Sequence, residues 1–402
     1  MTLPTVGASG TAGHGGAASG AVSAGALTPA DEPLASADAP VVGVRVRVPA
    51  TSANLGPGFD AFGLALGYYD DVEVTLRPSG LSVAVEGTEN VSRGEDNLVV
   101  RAIRATFDEL GRPQPGLAVR CVNRVPHGRG LGSSAAAIVA GVVAASALDA
   151  AARLGPGAAV AAGPAAARSG RPADLSAPAV AFDRAAALRV ATALEGHPDN
   201  VAAALFGGFT VAWDGPDGPV AHRAEPVADL RPVAFVPSVR TSTADSRGRL
   251  PEQLPHADAA FSAGRAGLLA LALTQADPVA AGPAGEAPAG TITRADARVA
   301  DSRAGGVHAA RAARARLLLV ATEDRLHQPY RLPVVPESAA LVERLRTAGV
   351  AAVLSGSGPT VLALAVGGEQ AAAAVGAWAP GFAVLPLAVD RDGAVVSALS
   401  GQ

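Results

Sequence analysis

The chain contains no lysine, so arginine supplies all 32 of its basic residues. This absence excludes a Schiff-base lysine and a Walker-type phosphate loop, because both need an amine on a flexible side chain. Genomic base composition, which also explains the many alanines, glycines and prolines, is the simplest cause. The exclusion of these two mechanisms holds whatever the cause.

Cysteine and net charge are also scarce. The single cysteine, Cys121, excludes an internal disulfide and a cysteine-based metal cluster. A formal net charge of -4 provides no basic surface of the kind that binds nucleic acid. Apolar residues make up 49% of the chain and charged residues 17%, which indicates a folded globular protein rather than a disordered one.

The sequence gives little support for secretion or for a membrane span. The first basic residue is Arg45, so the N-terminus lacks the charged start of a signal peptide. Residues 131–148 carry no charge and form a run long enough to span a membrane as a helix. Their serines, glycines and many alanines make the run weakly apolar, and we predict a buried helix. We therefore expect a cytoplasmic protein without membrane or nucleic-acid partners.

Three segments lack the periodic apolar residues of a folded core. Residues 1–40 consist mainly of small residues and proline and predict a disordered low-complexity tail. Residues at about 155–178 and 276–306 are similar and predict insertions in loops, where extra length costs little. The turn-rich residues 214–219 predict a domain boundary. We expect an N-terminal domain at 41–215 and a C-terminal domain at 216–402.

Apolar patterning between these segments predicts a mixture of strands and helices. Alternation predicts strands at 42–48 and 71–76, which could pair, and others at 117–125, 209–213, 233–236, 351–354 and 360–366. Helical spacing predicts helices at 97–110, 183–194, 257–273 and 338–348, and a long alanine-rich helix after Gly132. Strands and helices without strict β-α-β alternation indicate an α+β fold.

The strongest local pattern is Pro126-His-Gly-Arg-Gly-Leu-Gly-Ser-Ser-Ala-Ala136, between a predicted strand and the alanine-rich helix. Its alternate glycines allow the backbone to approach a ligand closely. The helix start near Ser133 adds the positive end of its dipole. Together they predict an anion site suited to polyphosphate. The spacing is not that of a dinucleotide-binding loop, and no lysine follows.

This segment resembles the phosphate loop of the GHMP kinase superfamily. Two further motifs occur in the family's order, Pro49-Ala-Thr-Ser-Ala-Asn-Leu-Gly-Pro-Gly-Phe-Asp-Ala-Phe-Gly63 and Leu354-Ser-Gly-Ser-Gly-Pro-Thr360. The motif at 354–360 is similar to the family's glycine-rich turn beside the phosphate loop. The resemblance covers about residues 42–396 except the two insertions. It implies a two-domain α+β architecture, with an N-terminal domain like ribosomal protein S5 domain 2 and a C-terminal ferredoxin-like domain.

The first motif and the segments at 195–200, 243–247 and 326–331 resemble one branch of this superfamily in particular. Members of that branch use ATP and Mg²⁺ to phosphorylate the side-chain hydroxyl of L-homoserine, in threonine biosynthesis. The resemblance therefore implies a phosphotransferase with homoserine and ATP as its small-molecule partners. It leaves open whether the protein is a homodimer.

The resemblance also assigns the reaction chemistry to three residues. Ser134 and Glu195 match the Mg²⁺ ligands of the superfamily, and a hard cation needs few protein oxygens when phosphate and water supply the rest. Asn200 matches the residue that faces the reacting hydroxyl. An amide does not titrate, so Asn200 can orient the hydroxyl but cannot act as a base. Asp199 is interpreted as structural.

Ligand binding is assigned in the same way. Asp60 matches the carboxylate that binds the substrate ammonium, and Arg247 and Arg331 match the arginines that bind its carboxylate, for which a planar fork is well suited. The implied substrate-binding residues are Asn54, Asp60, Asn200, Thr243, Arg247 and Arg331. The implied ATP-binding residues are Pro126, His127, Gly128, Arg129, Gly130, Leu131, Gly132, Ser133, Ser134, Ala135 and Ala136.

Two alternatives belong to different functional classes. The first is a GHMP-type kinase that acts on another small alcohol, which replacement of Asp60 or of the two arginines would favour. The second is a non-catalytic GHMP-like binding protein, which a broken phosphate loop or a missing Glu195 would favour. The sequence has none of these changes. The histidines His127, His197 and His327 are predicted to be hydrogen-bonded loop residues, because their spacing does not suggest a metal site.

The composition of the tail leads to a first testable prediction. Deletion of residues 1–40 should leave the turnover number within a few-fold of the full chain, because no periodic apolar residues tie this segment to a core. Steady-state kinetics and a thermal unfolding curve of both proteins test this. A truncated chain that fails to fold would show that the tail has a structural role.

Overall fold

The computed structural model describes residues 43–88, 91–154, 182–240, 246–275, 294–377 and 380–399. The strands are β1 (Gly43–Ala53), β2 (Phe62–Arg77), β3 (Leu81–Glu86), β4 (Gly116–Val122), β5 (Phe209–Gly215), β6 (Gly218–Ala224), β7 (Leu230–Pro237), β8 (Ala352–Leu354), β9 (Val361–Val366), β10 (Phe382–Pro386) and β11 (Val395–Ala398). The helices are α1 (Leu98–Glu109), α2 (Ser133–Leu154), α3 (Arg184–Glu195), α4 (Asp199–Phe206), α5 (His256–Thr274), α6 (Arg294–Ala321), α7 (Gln328–Arg331), α8 (Pro336–Thr347) and α9 (Gly367–Gly376).

The strands form two sheets. The first has the order β11-β1-β2-β4-β3, and the β5–β6 hairpin joins it through β2. The second is antiparallel with the order β10-β7-β9-β8. Counted along the chain, this is the order fourth, first, third, second, which is typical of a ferredoxin-like β-α-β-β-α-β unit. It agrees with the architecture expected for the C-terminal half.

The pairing of β1 with β2 follows from alternation along both strands. Val44 lies opposite Val74 and Val46 opposite Val72, and these side chains are buried. The alternate residues of both strands point to the other face of the sheet. There Arg47 forms an ion pair with Asp71 at 2.9 Å. A period of two residues therefore separates the core face from the charged face. The predicted pairing of these two segments is confirmed.

Helix α1 has the ends that its sequence predicts. The Asn97 side chain accepts a hydrogen bond from the backbone N–H of Val99 at 2.9 Å, which caps the helix start. The chain turns after the helix at Gly111, which has a φ angle of 63°. Left-handed backbone of this kind favours glycine and ends the helix. The predicted range of 97–110 is confirmed to within a residue at each end.

Helix α2 is the central helix of the first half. By length and composition it could cross a membrane, but 72% of that stretch is buried inside the protein. It packs against β1, α1 and α3. Alanines and valines on all sides, such as Ala136, Val139 and Val143, allow these elements to approach closely. The prediction of a buried core helix is confirmed.

The turn at residues 214–219 does not separate the two sheets. It is the tip of the β5–β6 hairpin, in which Trp213 pairs with Val220, and both strands belong to the first sheet. The chain enters the second sheet only at β7 and returns to the first at β11. The interpretation of this turn as a boundary was wrong, because the same residues favour hairpin turns and linkers. The division into two domains stays a prediction.

The predicted low-complexity segments fall mostly outside the described residues. This applies to residues 1–40, 155–178 and 276–293. Residues 294–306, by contrast, form the first part of α6. The prediction of a loop insertion was wrong for this stretch, because its alanines and arginines are also strong helix formers.

Candidate active site

The glycine loop between β4 and α2 adopts a backbone that glycine takes most readily. Gly128, Gly130 and Gly132 have φ angles between 64° and 78°. A Cβ on Gly130 would lie 2.2 Å from the carbonyl oxygen of Ser355, and one on Gly132 would lie 1.9 Å from Thr51 Oγ1. Glycine is therefore required at both positions. The loop leads into the first turn of α2, whose backbone N–H groups have no partners within the helix and favour an anion.

The segment 354–360 packs directly against this loop. Ser355 Oγ donates a hydrogen bond to the carbonyl of Gly130 at 2.5 Å and lies 2.8 Å from Ser52 Oγ. The backbone N–H of Thr360 donates to the carbonyl of Arg129 at 3.3 Å. Since Ser52 belongs to the first motif, all three motifs meet at one place. The expectation that the glycine-rich turn lies beside the phosphate loop is confirmed.

A cavity of about 120 Å³ lies where these segments meet. It includes every described residue that was predicted to bind substrate or metal or to take part in the reaction. Thr243, also predicted to bind substrate, lies outside the described residues. The cavity is lined by Asn54, Asp60, Gly128, Gly130, Gly132, Ser133, Ser134, Glu195, His197, Asp199, Asn200, Arg247, Arg331, Gly356 and Ser357.

Two oxygen donors face each other in this cavity. Ser134, in the first turn of α2, donates a hydrogen bond from Oγ to Oε2 of Glu195, the last residue of α3, at 2.7 Å. Burial raises the pKa of Glu195, while the Ser134 hydrogen bond and nearby His197 oppose the rise. A hydroxyl and a carboxylate are hard ligands of the kind that Mg²⁺ prefers. The described residues contain no cluster of three or more acidic, histidine or cysteine ligands, so a cation here would need phosphate oxygens or water.

Asn200, at the start of α4, has a fixed side chain. Thr51 Oγ1 donates a hydrogen bond to Asn200 Oδ1 at 2.7 Å. With its oxygen occupied, the amide has its two N–H donors left for a ligand in the cavity. Neighbouring Asp199 accepts hydrogen bonds from the backbone N–H of Asn200 and from His197 Nδ1, both at 2.7 Å. The bond to Asp199 raises the pKa of His197.

Asp60 and Arg247, which were predicted to bind opposite ends of the substrate, bind each other. The two terminal nitrogens of Arg247 donate to the two carboxylate oxygens of Asp60, both at 2.8 Å. This contact raises the pKa of Arg247. The side chains are 44% and 35% exposed, so water screens the pair and its net stabilisation is small. A charged ligand can therefore exchange with either partner at little cost.

Arg331 lies deeper in the same cavity and is 3% exposed. Its Nη1 donates to the carbonyl of Gly356 at 3.2 Å and to His327 Nδ1 at 3.1 Å. Its Nε is buried and has no hydrogen-bond partner among the described residues. Burial lowers the pKa of Arg331, although a guanidinium remains charged in proteins. A buried donor without a partner is costly, and a bound carboxylate would remove that cost.

The two guanidinium groups share an aromatic surface. Their Cζ atoms lie 5.7 Å (Arg247) and 5.4 Å (Arg331) from the centre of the Phe59 ring. At these distances the negative face of the ring attracts each cation. Phe59 thus favours two like charges near one another. Its position in the first motif could have suggested a role, but the contacts with both arginines could not be predicted from the sequence.

A second cavity, of about 280 Å³, also adjoins the phosphate loop. It shares Gly128, Ser133 and Ser134 with the first cavity. Burial and the charge of Arg240 lower the pKa of His127, which lines this cavity. Its other lining residues are largely apolar or amide-bearing: Asp70, Val72, Val91, Ser92, Asp96, Asn97, Leu98, Val99, Cys121, Asn123, Ala136 and Ala137.

The predicted ATP-binding residues divide into two groups. His127, Gly128, Gly130, Gly132, Ser133, Ser134 and Ala136 line one or both cavities. Leu131 and Ala135 are instead buried in the core, and Arg129 donates to the carbonyl of Ser238 at 2.9 Å. These three residues and Pro126 line neither cavity. The sequence did not single out Thr51, although it lies in the first motif three residues before Asn54.

Known proteins that resemble this chain identify the class of enzyme to which it belongs. The family model for the GHMP kinases N terminal domain matches residues 97–181, and the one for the GHMP kinases C terminal domain matches residues 308–381. The homoserine kinase of Streptomyces coelicolor is 46% identical over 364 residues, which cover 87% of this chain and 96% of the relative. The homoserine kinase of Streptomyces avermitilis is 46% identical over 361 residues, with 89% and 96% covered. The chain belongs to the homoserine kinase family of the GHMP kinases.

The fold agrees with this assignment. The crystal structure of homoserine kinase from Cytophaga hutchinsonii superposes with a TM-score of 0.65 at 24% sequence identity, over 88% of this chain and 97% of that one. The predicted fold class is therefore confirmed, as is the resemblance to the GHMP kinases.

Proposed function

We propose that this protein transfers the γ-phosphoryl group of ATP to the side-chain hydroxyl of L-homoserine, which forms O-phospho-L-homoserine for threonine biosynthesis. One observation carries the proposal. A single small cavity is lined both by the phosphate loop and by the carboxylate of Asp60 and the guanidinium groups of Arg247 and Arg331. These charges complement the ammonium and carboxylate of an amino acid, and the loop complements a phosphate.

Substrate binding would exchange partners within the cavity. The ammonium of homoserine would take the place of Arg247 beside Asp60, and the released guanidinium would turn to the substrate carboxylate. Arg331, whose Nε has no partner among the described residues, would bind the same carboxylate. Planar guanidinium forks match carboxylate oxygens in number and spacing. Charge pairs are therefore replaced rather than lost.

For ATP, we infer that the adenosine lies in the second cavity and the triphosphate crosses the glycine loop towards the first. The loop residues shared by both cavities support this path. Ser134 and Glu195 would hold Mg²⁺, since their oxygens lie 2.7 Å apart and face the phosphate loop. Such an ion neutralises the charge that develops on the transferred phosphoryl group.

The side chains of the protein would promote phosphoryl transfer by orienting the homoserine hydroxyl rather than by taking its proton. Asn200 cannot accept a proton, and its Oδ1 is already bound to Thr51. Its amide N–H would donate to the homoserine hydroxyl oxygen and so direct a lone pair towards phosphorus. Phosphoryl transfer through a loose transition state depends mainly on alignment and charge neutralisation. The reaction therefore needs no titrating residue at position 200, and the hydroxyl proton would pass to an oxygen of the transferred phosphoryl group.

Replacement of Thr51 by valine tests this orienting role. The change keeps the shape of the side chain but removes the hydrogen bond to Asn200, which should lower kcat about fivefold because one hydrogen bond contributes about 1 kcal/mol. The KM values should change little. Thr51→Ser, which retains the hydroxyl, serves as the matched control in the same steady-state assay. Equal activity of both variants would remove Thr51 from the mechanism.

The function itself is tested by an assay of ADP release with homoserine, serine, threonine, mevalonate and galactose, with ³¹P NMR of the product. We expect a phosphate ester with homoserine and far less with the others. A preference for another alcohol would identify a different kinase of the same superfamily. ATP binding without turnover of any acceptor would indicate a non-catalytic binding protein.

We also infer a cytoplasmic location, without nucleic-acid or membrane partners. The net charge of -4 opposes binding to nucleic acid, and the one described helix that is both long and apolar enough to cross a membrane is mostly buried. Cell fractionation with the tagged full chain tests the location. Recovery in the membrane fraction after a salt wash would contradict it.

A further inference from the structure

His327 lies behind the substrate cavity and does not line it. Its side chain is 0% exposed and stands between Arg331 and the loop that follows β1. It directly precedes the short helix α7, of which Arg331 is the last residue. Position 327 and position 331 are therefore neighbours across one helical turn.

The hydrogen bonds of His327 fix its protonation state. Nε2 lies 2.9 Å from the carbonyl oxygen of Gly56. A carbonyl can only accept, so Nε2 carries a proton and donates. Nδ1 lies 3.1 Å from Arg331 Nη1, and a guanidinium can only donate, so Nδ1 must be unprotonated. A doubly protonated ring would direct an N–H towards the N–H of Arg331 and lose this contact.

Burial of the ring favours the same neutral form. Burial lowers the pKa of His327, and the positive charge of Arg331 lowers it further, while Asp324 and Asp60 oppose this effect. Asp324 Oδ2 lies 3.4 Å from Nε2. The Asp324 carboxylate already accepts bonds from the backbone N–H groups of residues 326, 327 and 328. It therefore caps the turn rather than holding a charged imidazole.

The ring is also fixed on its other sides. It stacks on Phe59 with ring centres 5.4 Å apart and an angle of 29° between the planes. Gly56, which accepts from Nε2, has a φ of 86°, and a Cβ there would lie 2.8 Å from the carbonyl oxygen of Thr322. The position of the acceptor is thus rigid. His327 connects this rigid point to a guanidinium that faces the cavity.

We propose that His327 is a positioning residue, whose neutral ring holds the Arg331 guanidinium in the orientation that receives the substrate carboxylate. This inference rests on the proposed function, in which Arg331 binds that carboxylate. His327 itself would not touch the substrate. Without its acceptor, the Arg331 side chain would keep its bond to the Gly356 carbonyl but would be free to rotate about it.

Two substitutions separate the hydrogen bond of His327 to Gly56 from its hydrogen bond to Arg331. In His327→Gln the amide can still donate to Gly56, but nothing replaces Nδ1 as an acceptor for Arg331. In His327→Asn the shorter side chain places its oxygen near the former Nδ1 and loses the contact with Gly56. Loss of a hydrogen bond to a charged group should raise the homoserine KM about tenfold in His327→Gln. His327→Asn should recover most of that affinity, and the ATP KM should change little in both.

A purely structural role makes a different prediction. Equal damage by Gln and Asn, or a parallel rise of the ATP KM, would overturn the proposal, as would an unchanged homoserine KM in His327→Gln. Thermal unfolding of both variants identifies misfolding, and if His327→Gln does not fold, the NMR measurement of the native protein decides.

That measurement is long-range ¹H–¹⁵N NMR of the histidine rings at pH 7. We expect His327 to be protonated at Nε2 and unprotonated at Nδ1. A charged ring, or one protonated at Nδ1, would overturn the proposal without any use of substrate. Failure of the native enzyme to phosphorylate homoserine would instead refute the proposed function, so the two failures are distinguishable.

Discussion

Replacement of Arg331 by alanine should raise the KM for homoserine about thirty- to several-thousand-fold. The substrate carboxylate would remain desolvated in the cavity without one of its charged partners, and such truncation costs roughly 2–5 kcal/mol. The contact exists before and during phosphoryl transfer, so most of the loss should appear in KM rather than in kcat. The KM for ATP should change little, because the nucleotide lies on the glycine loop. Steady-state kinetics with each substrate varied in turn measure both constants.

Two further variants serve as controls. Arg331→Lys should recover only part of the loss, because an ammonium cannot reproduce the planar fork. Arg325→Ala removes an arginine that lies six positions earlier, is 50% exposed and pairs with Asp258, and it should leave both KM values unchanged. An equal rise in the two KM values of Arg331→Ala would indicate a folding defect or a phosphate contact. An unchanged homoserine KM would exclude Arg331 from the substrate site.

Replacement of Glu195 by glutamine should lower kcat on the order of 10²–10³-fold while the fold stays intact. The amide has the same size and can still accept the hydrogen bond from Ser134 Oγ. It lacks the negative charge that would hold the cation beside the transferred phosphoryl group. Kinetics across a magnesium titration, with a thermal unfolding curve, provide the measurement.

The matched control for this change is Glu86→Gln. Glu86 lies on β3, is 54% exposed and pairs with Arg120, so its neutralisation should leave kcat and the magnesium dependence unchanged. Near-native activity of Glu195→Gln at every magnesium concentration would show that the metal site lies elsewhere. A shift of the magnesium optimum with a smaller loss of kcat would still support the assignment.

Local features of the sequence predicted the parts of the site that depend on local backbone. The glycines of the phosphate loop were recognised because few other residue types adopt positive φ angles and allow the backbone to approach a ligand closely. Asn97 and Gly111 marked the ends of α1 because capping chemistry acts over a few residues. For the same reason the turn at 214–219 was misplaced, since a hairpin tip and a linker use the same residues.

Contacts between distant segments could not be predicted from the pattern of residues. Asp60 and Arg247 were assigned to the substrate, but their mutual ion pair depends on how the first motif packs against the start of the second half. Likewise, His327 was interpreted as an ordinary hydrogen-bonded loop residue. Its complete burial between Gly56 and Arg331 follows from tertiary packing, which a single sequence does not encode in any local signal.

The position of β11 has a consequence for synthesis on the ribosome. β1, the first described strand, pairs with β11, the last, through Val44 to Arg47. The sheet that carries the start of the first motif therefore cannot be completed until β11 has left the exit tunnel. Until then the β1 edge exposes unpaired backbone groups, which can pair with other chains. A nascent chain stalled before β11 would therefore expose an aggregation-prone strand edge at β1. We expect chaperones that bind early to cover this edge.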